Sequence, residues 1–267
     1  MDRKTFFAEL RKRESGVFGT SLTQGQVEGC EAILNECVRQ GADLGQAAYI
    51  LATAYGESAF SMQPKHESLW YRANRIAQVF GAHRRQGKTP SELAGKPELL
   101  ANTVYGGKWG RDNLGNTEPG DGWRFRGTGV GQITGRTNFR KFGDKLGLPL
   151  LQKPDLMMNL HTSVRALVEP MLDGWATGKK LSAYVAGDRR DYRSARRVWN
   201  GMFEADRYAR YARSFEVALE AAGYESMTTA PAPDFVRPDP APSPSQTVAK
   251  PSPWTALLNL ILKFFRR

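Results

Sequence analysis

A chain of 267 residues is long enough for one large domain or two small ones, and 40% hydrophobic with 24% charged residues exclude a disordered or fibrous chain in favour of a globular one. Lys and Arg number 38 against 27 Asp and Glu, a formal net charge of +11 that suits nucleic acid, anionic lipid, lipopolysaccharide or an acidic cell-wall polymer without choosing among them. The two cysteines lack a matching histidine pair and so give no zinc signature, and no stretch reaches the roughly 20 apolar residues of a membrane-spanning helix.

The opening stretch, MDRKTFFAELRKRES, has no apolar h-region, so a Sec-type signal peptide is not expected. LTQGQVEGCEAILNECVRQG begins at a polar cap, carries apolar residues at helical spacing and ends at Gly41. Cys30 and Cys37 both fall in this helix. Seven residues of helix rise roughly 10.5 Å, beyond the about 7 Å that a disulfide spans between Cα atoms, which predicts two free thiols facing the core. DLGQAAYILATAYGESAF reads as a second helix capped by Asp43. LWYRANRIAQVFG, PELLANTVYGG, HTSVRALVEPMLDGWATG and EADRYARYARSFEVALEAAG carry the same periodicity. Between them, residues 108–135 form a long Gly-rich segment read as a loop, whose Trp109, Trp123 and Phe125 argue against disorder. No alternating run predicts a large sheet. The body, residues 1–226, is expected to be mainly α.

At residue 227 the composition changes. Residues 227–253 hold eight of the 15 prolines and read as an extended, semi-rigid linker. Residues 254–267, WTALLNLILKFFRR, read as a cationic amphipathic helix. Fourteen residues make about 21 Å of helix, short of the ~30 Å hydrocarbon core, so an interfacial anchor fits better than a span. Trp254, Leu258, Ile261, Lys263, Phe264, Phe265, Arg266 and Arg267 are its candidate membrane-binding residues.

Two carboxylates stand out in AYGESAFSMQPKHESLW. Ala47, Ile50 and Ala54 make a stripe at steps of three and four, and the next position on it is Glu57. A carboxyl among apolar neighbours has its pKa raised, as a general acid near neutral pH requires. The bland alternative is a helix that frays after Gly56. Glu67 lies ten positions on, past Pro64, which is expected to break the helix and let the chain fold back. The pair could then approach the roughly 6.5–9.5 Å used by inverting glycosidases. Its bland alternative is a solvated loop glutamate beside Lys65. RGTGVGQITG lacks the Lys-Ser/Thr ending of a phosphate loop, and no strand is predicted before it, so nucleotide binding is not expected. Either it allows close backbone approach to a ligand, with Gln132, Thr134 and Trp123 nearby, or it is a structural turn. His66, His83 and His161 are scattered and are read as structural or surface residues, and neither a metal nor a cofactor is expected.

ATAYGESAF, HESLWYRANRIAQVFG, LANTVYGGKWG, GDGWRFRGTGVGQITGRTNFRKFG and ARRVWNG occur in an order that resembles glycoside hydrolase family 19, the chitinase-like group within the lysozyme-like superfamily, in its phage endolysin branch. The resemblance covers roughly residues 20–222. It implies a two-lobed helical fold with a substrate groove, and metal-free hydrolysis of β-1,4 bonds beside N-acetylated aminosugars with inversion. By position it implies Glu57 as general acid, Glu67 as general base and Thr134 as a residue that helps hold the attacking water. Gln132, Asn138 and Asn200 match polar groove positions, and Tyr105 and Trp123 would help wall the groove. The sequence departs from the family pattern at three sites. Gly56 stands where a histidine is usual, Thr128 replaces an arginine, and Gly131 replaces an apolar residue, which is expected to loosen the segment carrying Thr134. The spacing from Glu57 to Glu67 is one residue longer than in the nearest bacterial and phage members.

These readings converge on a monomeric endolysin that hydrolyses bacterial peptidoglycan. It would be made in the host cytoplasm without a signal peptide and would act at the cell wall once the membrane is opened. Its C-terminal helix would bind anionic membrane or lipopolysaccharide. A chitinase is the alternative. A non-catalytic basic protein binding envelope or nucleic acid is a further one, which no helix-turn-helix, zinc-finger or RNP-like motif supports.

Overall fold

The computed structural model describes residues 1–225. The linker expected at 227–253 and the helix expected at 254–267 lie outside the described residues. What is described is mainly helical. In chain order the helices are α1 (Arg3–Leu10), α2 (Gln24–Arg39), α3 (Leu44–Glu57), α4 (Ala73–Val79), α5 (Pro90–Leu93), α6 (Pro97–Val104), α7 (Gly107–Leu114), α8 (Asp121–Arg124), α9 (Arg136–Leu146), α10 (Leu160–Asp173), α11 (Tyr192–Ala195) and α12 (Ala205–Ala221). A two-stranded antiparallel ribbon, β1 (Val185–Ala186) and β2 (Arg189–Arg190), pairs Val185 with Arg190 and Ala186 with Arg189.

Helix α3 is the axis of the larger core. Asp43 accepts from the Gln46 amide while the Gln46 side chain accepts from the Asp43 amide, a reciprocal cap that fixes where the helix starts. Thr23 and Gln26 do the same for α2. From Ala47 to Glu57 every residue of α3 is buried, because α12, α2 and α10 pack around it. Helix α1 closes the far side of α12, with the Asp2 amide donating to the Ala222 carbonyl at 2.7 Å. Cys30 and Cys37 are buried free thiols in this core, as the spacing predicts. Burial pushes both thiols well up, so they stay protonated.

A second, smaller apolar centre gathers Leu69, Ile76, Val79, Phe80, Leu93, Leu100, Val104, Tyr105 and Leu114 from α4 to α7. The two centres give the two-lobed helical body expected from the sequence. Residues 108–135 differ from the expected continuous loop: α7 and α8 fall within or across them, each turning once or twice around small residues that let it pack closely. At Gly110, for example, an added Cβ would lie 2.0 Å from the Tyr105 carbonyl oxygen. The remaining irregular stretch joins the lobes. Phe125, Val130 and Ile133 belong to the larger core, while Thr128 makes bridges to both His66 and Ile133.

Candidate active site

Glu57 is the last residue of α3, which does not fray after Gly56. Its carboxyl is enclosed, with only 2% of the residue exposed. Arg196 Nη2 donates to Oε1 at 2.9 Å, and the Tyr208 hydroxyl donates to the same oxygen at 3.0 Å. Oε2 is buried and makes no hydrogen bond. Burial raises the carboxyl above its ordinary range, and the Arg196 charge and the two hydrogen bonds pull against that rise without cancelling it. The Arg196 guanidinium also lies over the Tyr208 ring, 3.6 Å from its centroid.

The chain then reverses, though not at Pro64. Ala59, Phe60 and Met62 all take left-handed backbone conformations just after α3, ahead of the proline. The Ser58 hydroxyl accepts from the Met62 amide at 2.8 Å and closes the turn. Beyond it, the Glu67 amide donates to the Gly127 carbonyl at 2.7 Å, which fastens this segment to the Gly-rich stretch. Glu67 is buried at 6% exposure and is therefore not a solvated loop residue beside Lys65. The Tyr105 hydroxyl lies 2.9 Å from each of its carboxylate oxygens. Burial pushes the Glu67 carboxyl up to about 7; the Tyr105 hydrogen bond, then the Gly127 contact and the charges of Arg84 and Arg126, oppose it.

Arg84 stands behind that pair in an aromatic box. Its guanidinium lies 3.8 Å from the Trp109 ring centroid, 5.1 Å from that of Phe80 and 5.4 Å from that of Tyr105. Nε donates to the Val104 carbonyl, and Nη2 is buried without a hydrogen bond. Desolvation brings this side chain down to about 10.

The Gly-rich stretch links the two carboxyls indirectly. Gln132, at a left-handed φ of 54°, donates through Nε2 to the carbonyls of Lys65 and Gly129. A Cβ on Gly127 would lie 2.9 Å from Gln132 Oε1 and 3.3 Å from Glu67 Oε2, so only glycine lets these groups close around it. The Thr134 hydroxyl donates to the Gln132 carbonyl, and Asn138 Nδ2 donates to the Thr134 carbonyl. On the other side, Trp199 Nε1 donates to the Gly131 carbonyl at 3.2 Å, and the Asn200 amide donates to the Arg196 carbonyl at 2.8 Å. The path thus runs from Glu67 through Gly127 and residues 129–132 to Trp199 and Arg196, and so to Glu57. No direct hydrogen bond or ion pair joins the two carboxyls among the described residues.

Several expected groove residues sit differently. Tyr105 is fully buried and reaches the site only through its hydroxyl on Glu67, so it lines no open wall. Asn200, Thr134 and Gln132 are buried as well, with Gln132 bracing loop carbonyls rather than facing solvent. Trp123 and Asn138 are half-buried, and Arg126 stacks on the Trp123 ring at 3.7 Å. Gly131 does not loosen its segment. A Cβ there would lie 2.6 Å from Trp199 Cζ2, so the missing side chain is what lets the indole seat against the loop. Thr128 takes part in the same order: its hydroxyl donates to the Arg126 carbonyl and lies 3.1 Å from His66 Nδ1. The residues that sequence reasoning left out are Arg196, Tyr208 and Arg84. Arg196 lies inside the quoted ARRVWNG, yet nothing in that motif says which carboxylate it meets.

Among the described residues no cluster of three or more His, Cys, Asp or Glu could hold a metal ion, and no helix is long and apolar enough to cross a membrane. No protein-family model matches the chain. The chain is similar to a glycosyl hydrolase family 19 domain-containing protein of Haemophilus influenzae, with 35% identity over 123 residues. The aligned part is 46% of this chain and 59% of that protein, so the chain spans about three-fifths of the length of the curated relative it matches. This similarity agrees in kind with the motif resemblance.

Proposed function

We propose that the protein is a glycoside hydrolase that cleaves β-1,4 bonds of bacterial peptidoglycan by an inverting, two-carboxyl mechanism. The observation that carries the reading is the asymmetry of Glu57. Both of its donors converge on Oε1, so a proton on the carboxyl belongs on Oε2, where no protein acceptor competes for it. Such a proton is available to a glycosidic oxygen. Glu67, raised to about 7, is a stronger base than an ordinary glutamate and is still substantially ionised near neutrality. In this reading Glu57 protonates the leaving oxygen as the C–O bond breaks. Glu67 takes a proton from a water that attacks the anomeric carbon from the opposite face, and Thr134 helps hold that water. Gln132, Asn138, Asn200, Tyr105 and Trp123 support the groove around the sugar. Both carboxyls are buried, so the reading requires an opening that exposes them to the glycan.

The test is replacement of each carboxyl by its amide. Glu57→Gln and Glu67→Gln should each lower turbidity clearing of purified cell wall by about 10²–10⁴-fold while the protein still pellets with the wall. Unchanged clearing by either variant removes that residue from the mechanism. Mass spectrometry of the wild-type digest identifies the bond. Reducing N-acetylmuramic acid ends mean a muramidase, reducing N-acetylglucosamine ends a glucosaminidase, and faster cleavage of chitin oligomers a chitinase.

An endolysin role accounts for the basic tail. Residues 227–267 carry five positive and two negative side chains, leaving about +8 of the net +11 on residues 1–226. The apolar and cationic residues of 254–267 suit an anionic envelope surface. Deleting 227–267 should leave activity on purified wall intact and reduce lysis of whole cells. Equal loss in both assays would assign the tail to the body instead.

A further inference from the structure

We propose that Tyr208 is a positioning residue for Glu57, and that Gly56 is the gap in helix α3 that admits it. The inference rests on the reading of Glu57 as proton donor. An ideal Cβ on Gly56 would lie 2.5 Å from Tyr208 Cε1 and 2.6 Å from both Cζ and the hydroxyl oxygen. No side chain of any size fits there while the phenol keeps its place. Gly56 immediately precedes Glu57, so the missing side chain and the carboxyl share one turn of helix, and Tyr208 reaches across from α12 to fill the first and bond the second. The family's usual histidine at this position could not coexist with Tyr208 as it sits here.

The bond has a direction. A phenol has one proton, and Tyr208 gives it to Glu57 Oε1 at 3.0 Å. Arg196 supplies a second donor to that same oxygen and stacks on the Tyr208 ring, which withdraws electron density from the phenol and strengthens it as a donor. Burial keeps Tyr208 protonated throughout the working pH range. With two donors fixed on Oε1, the carboxyl cannot rotate its proton onto that oxygen without setting it against both. The proton is held on Oε2. The other titratable groups facing Glu57 are Tyr49, on α3 itself, and Glu204, which caps α12. Neither donates a hydrogen bond to the carboxyl.

Tyr208→Phe deletes the hydroxyl and keeps the ring, so the packing against Gly56 and Arg196 persists. The loss of a donor to the ionised form should move the Glu57 titration upward by about one pH unit. The expected result is a roughly tenfold lower kcat, an unchanged KM, and an alkaline limb of the kcat profile displaced to higher pH. ¹³C-detected titration of the Glu57 carboxyl reads the same displacement without any substrate. Gly56→Ala, which forces the ring away, should move the limb the same way. Loss of kcat with an unmoved limb and an unmoved carboxyl titration would make Tyr208 a packing residue and overturn the proposal. Wild-type turnover in Glu57→Gln would instead overturn the acid assignment itself, a distinct failure that the titration separates from this one.

Discussion

Each lobe buries one of the two candidate catalytic glutamates, and the two are treated differently. In the larger lobe, Glu57 ends a regular helix and is gripped by a cation in contact with it. In the smaller lobe, Glu67 lies on irregular backbone, is held by a neutral phenol, and feels Arg84 and Arg126 only at a distance. Desolvation is the largest influence on both. What differs is whether a charge in contact answers it. A contact cation makes the buried site depend on its partner for stability. A neutral donor leaves the carboxyl free to titrate near neutrality, at a cost to the fold when it ionises. The same side chain is thus a proton donor steadied by a contact cation in one lobe, and a base held by a neutral phenol in the other.

The strongest way to break this contrast is to remove the contact cation. Arg196→Met leaves Glu57 enclosed with the Tyr208 hydroxyl still on Oε1, and breaking a buried pair on one side typically costs about 3–5 kcal/mol. Chemical denaturation at pH 8 should show a loss of that order. The loss should shrink toward pH 4, where Glu57 is neutral in both folded and unfolded chains. The double variant Arg196→Met/Glu57→Leu should recover most of it, since replacing both partners by apolar groups removes the stranded charge. A full loss that persists in the double variant would place the cost in Arg196 packing, including its bond to the Phe203 carbonyl, rather than in the pair.

How far these two environments could be read in advance follows from the range of the interactions. Helix α3 was legible because its signals are local: the Asp43 cap, the apolar steps of three and four, and a stripe that runs onto Glu57. The free thiols were legible for the same reason. The partners of Glu57 were not, because Arg196 and Tyr208 lie 139 and 151 positions further along the chain. Glycines misled most. Gly56 and Gly131 look like losses relative to the family pattern, and in the folded chain each is the space into which a distant ring fits, Tyr208 at one and Trp199 at the other. Tyr105 was expected to help wall a groove, and its bond to Glu67, 38 positions away, was not legible in the sequence. The reversal after α3 was attributed to Pro64, whereas three non-glycine residues in left-handed conformations make it, a choice that local propensity disfavours and that the packing of Met62 and Phe60 enforces.

The smaller lobe offers the finer test. The Glu67 carboxyl rises from 4.5 in the unfolded chain to about 7 in the folded one. A group raised on folding contributes its full stability below the unfolded value and loses it as pH climbs through the folded value. Wild-type protein should therefore lose roughly 3 kcal/mol relative to Glu67→Gln between pH 4 and pH 8. The glutamine can still accept the Tyr105 hydroxyl through Oε1, so the comparison isolates the ionisation rather than the hydrogen bond. Because every other titrating group is common to the two proteins, the difference between their denaturation midpoints across that range cancels the rest. A constant difference from pH 4 to pH 8 would mean that Glu67 ionises in the folded chain as easily as in the unfolded one, and the lobe would then supply no base tuned to neutral pH.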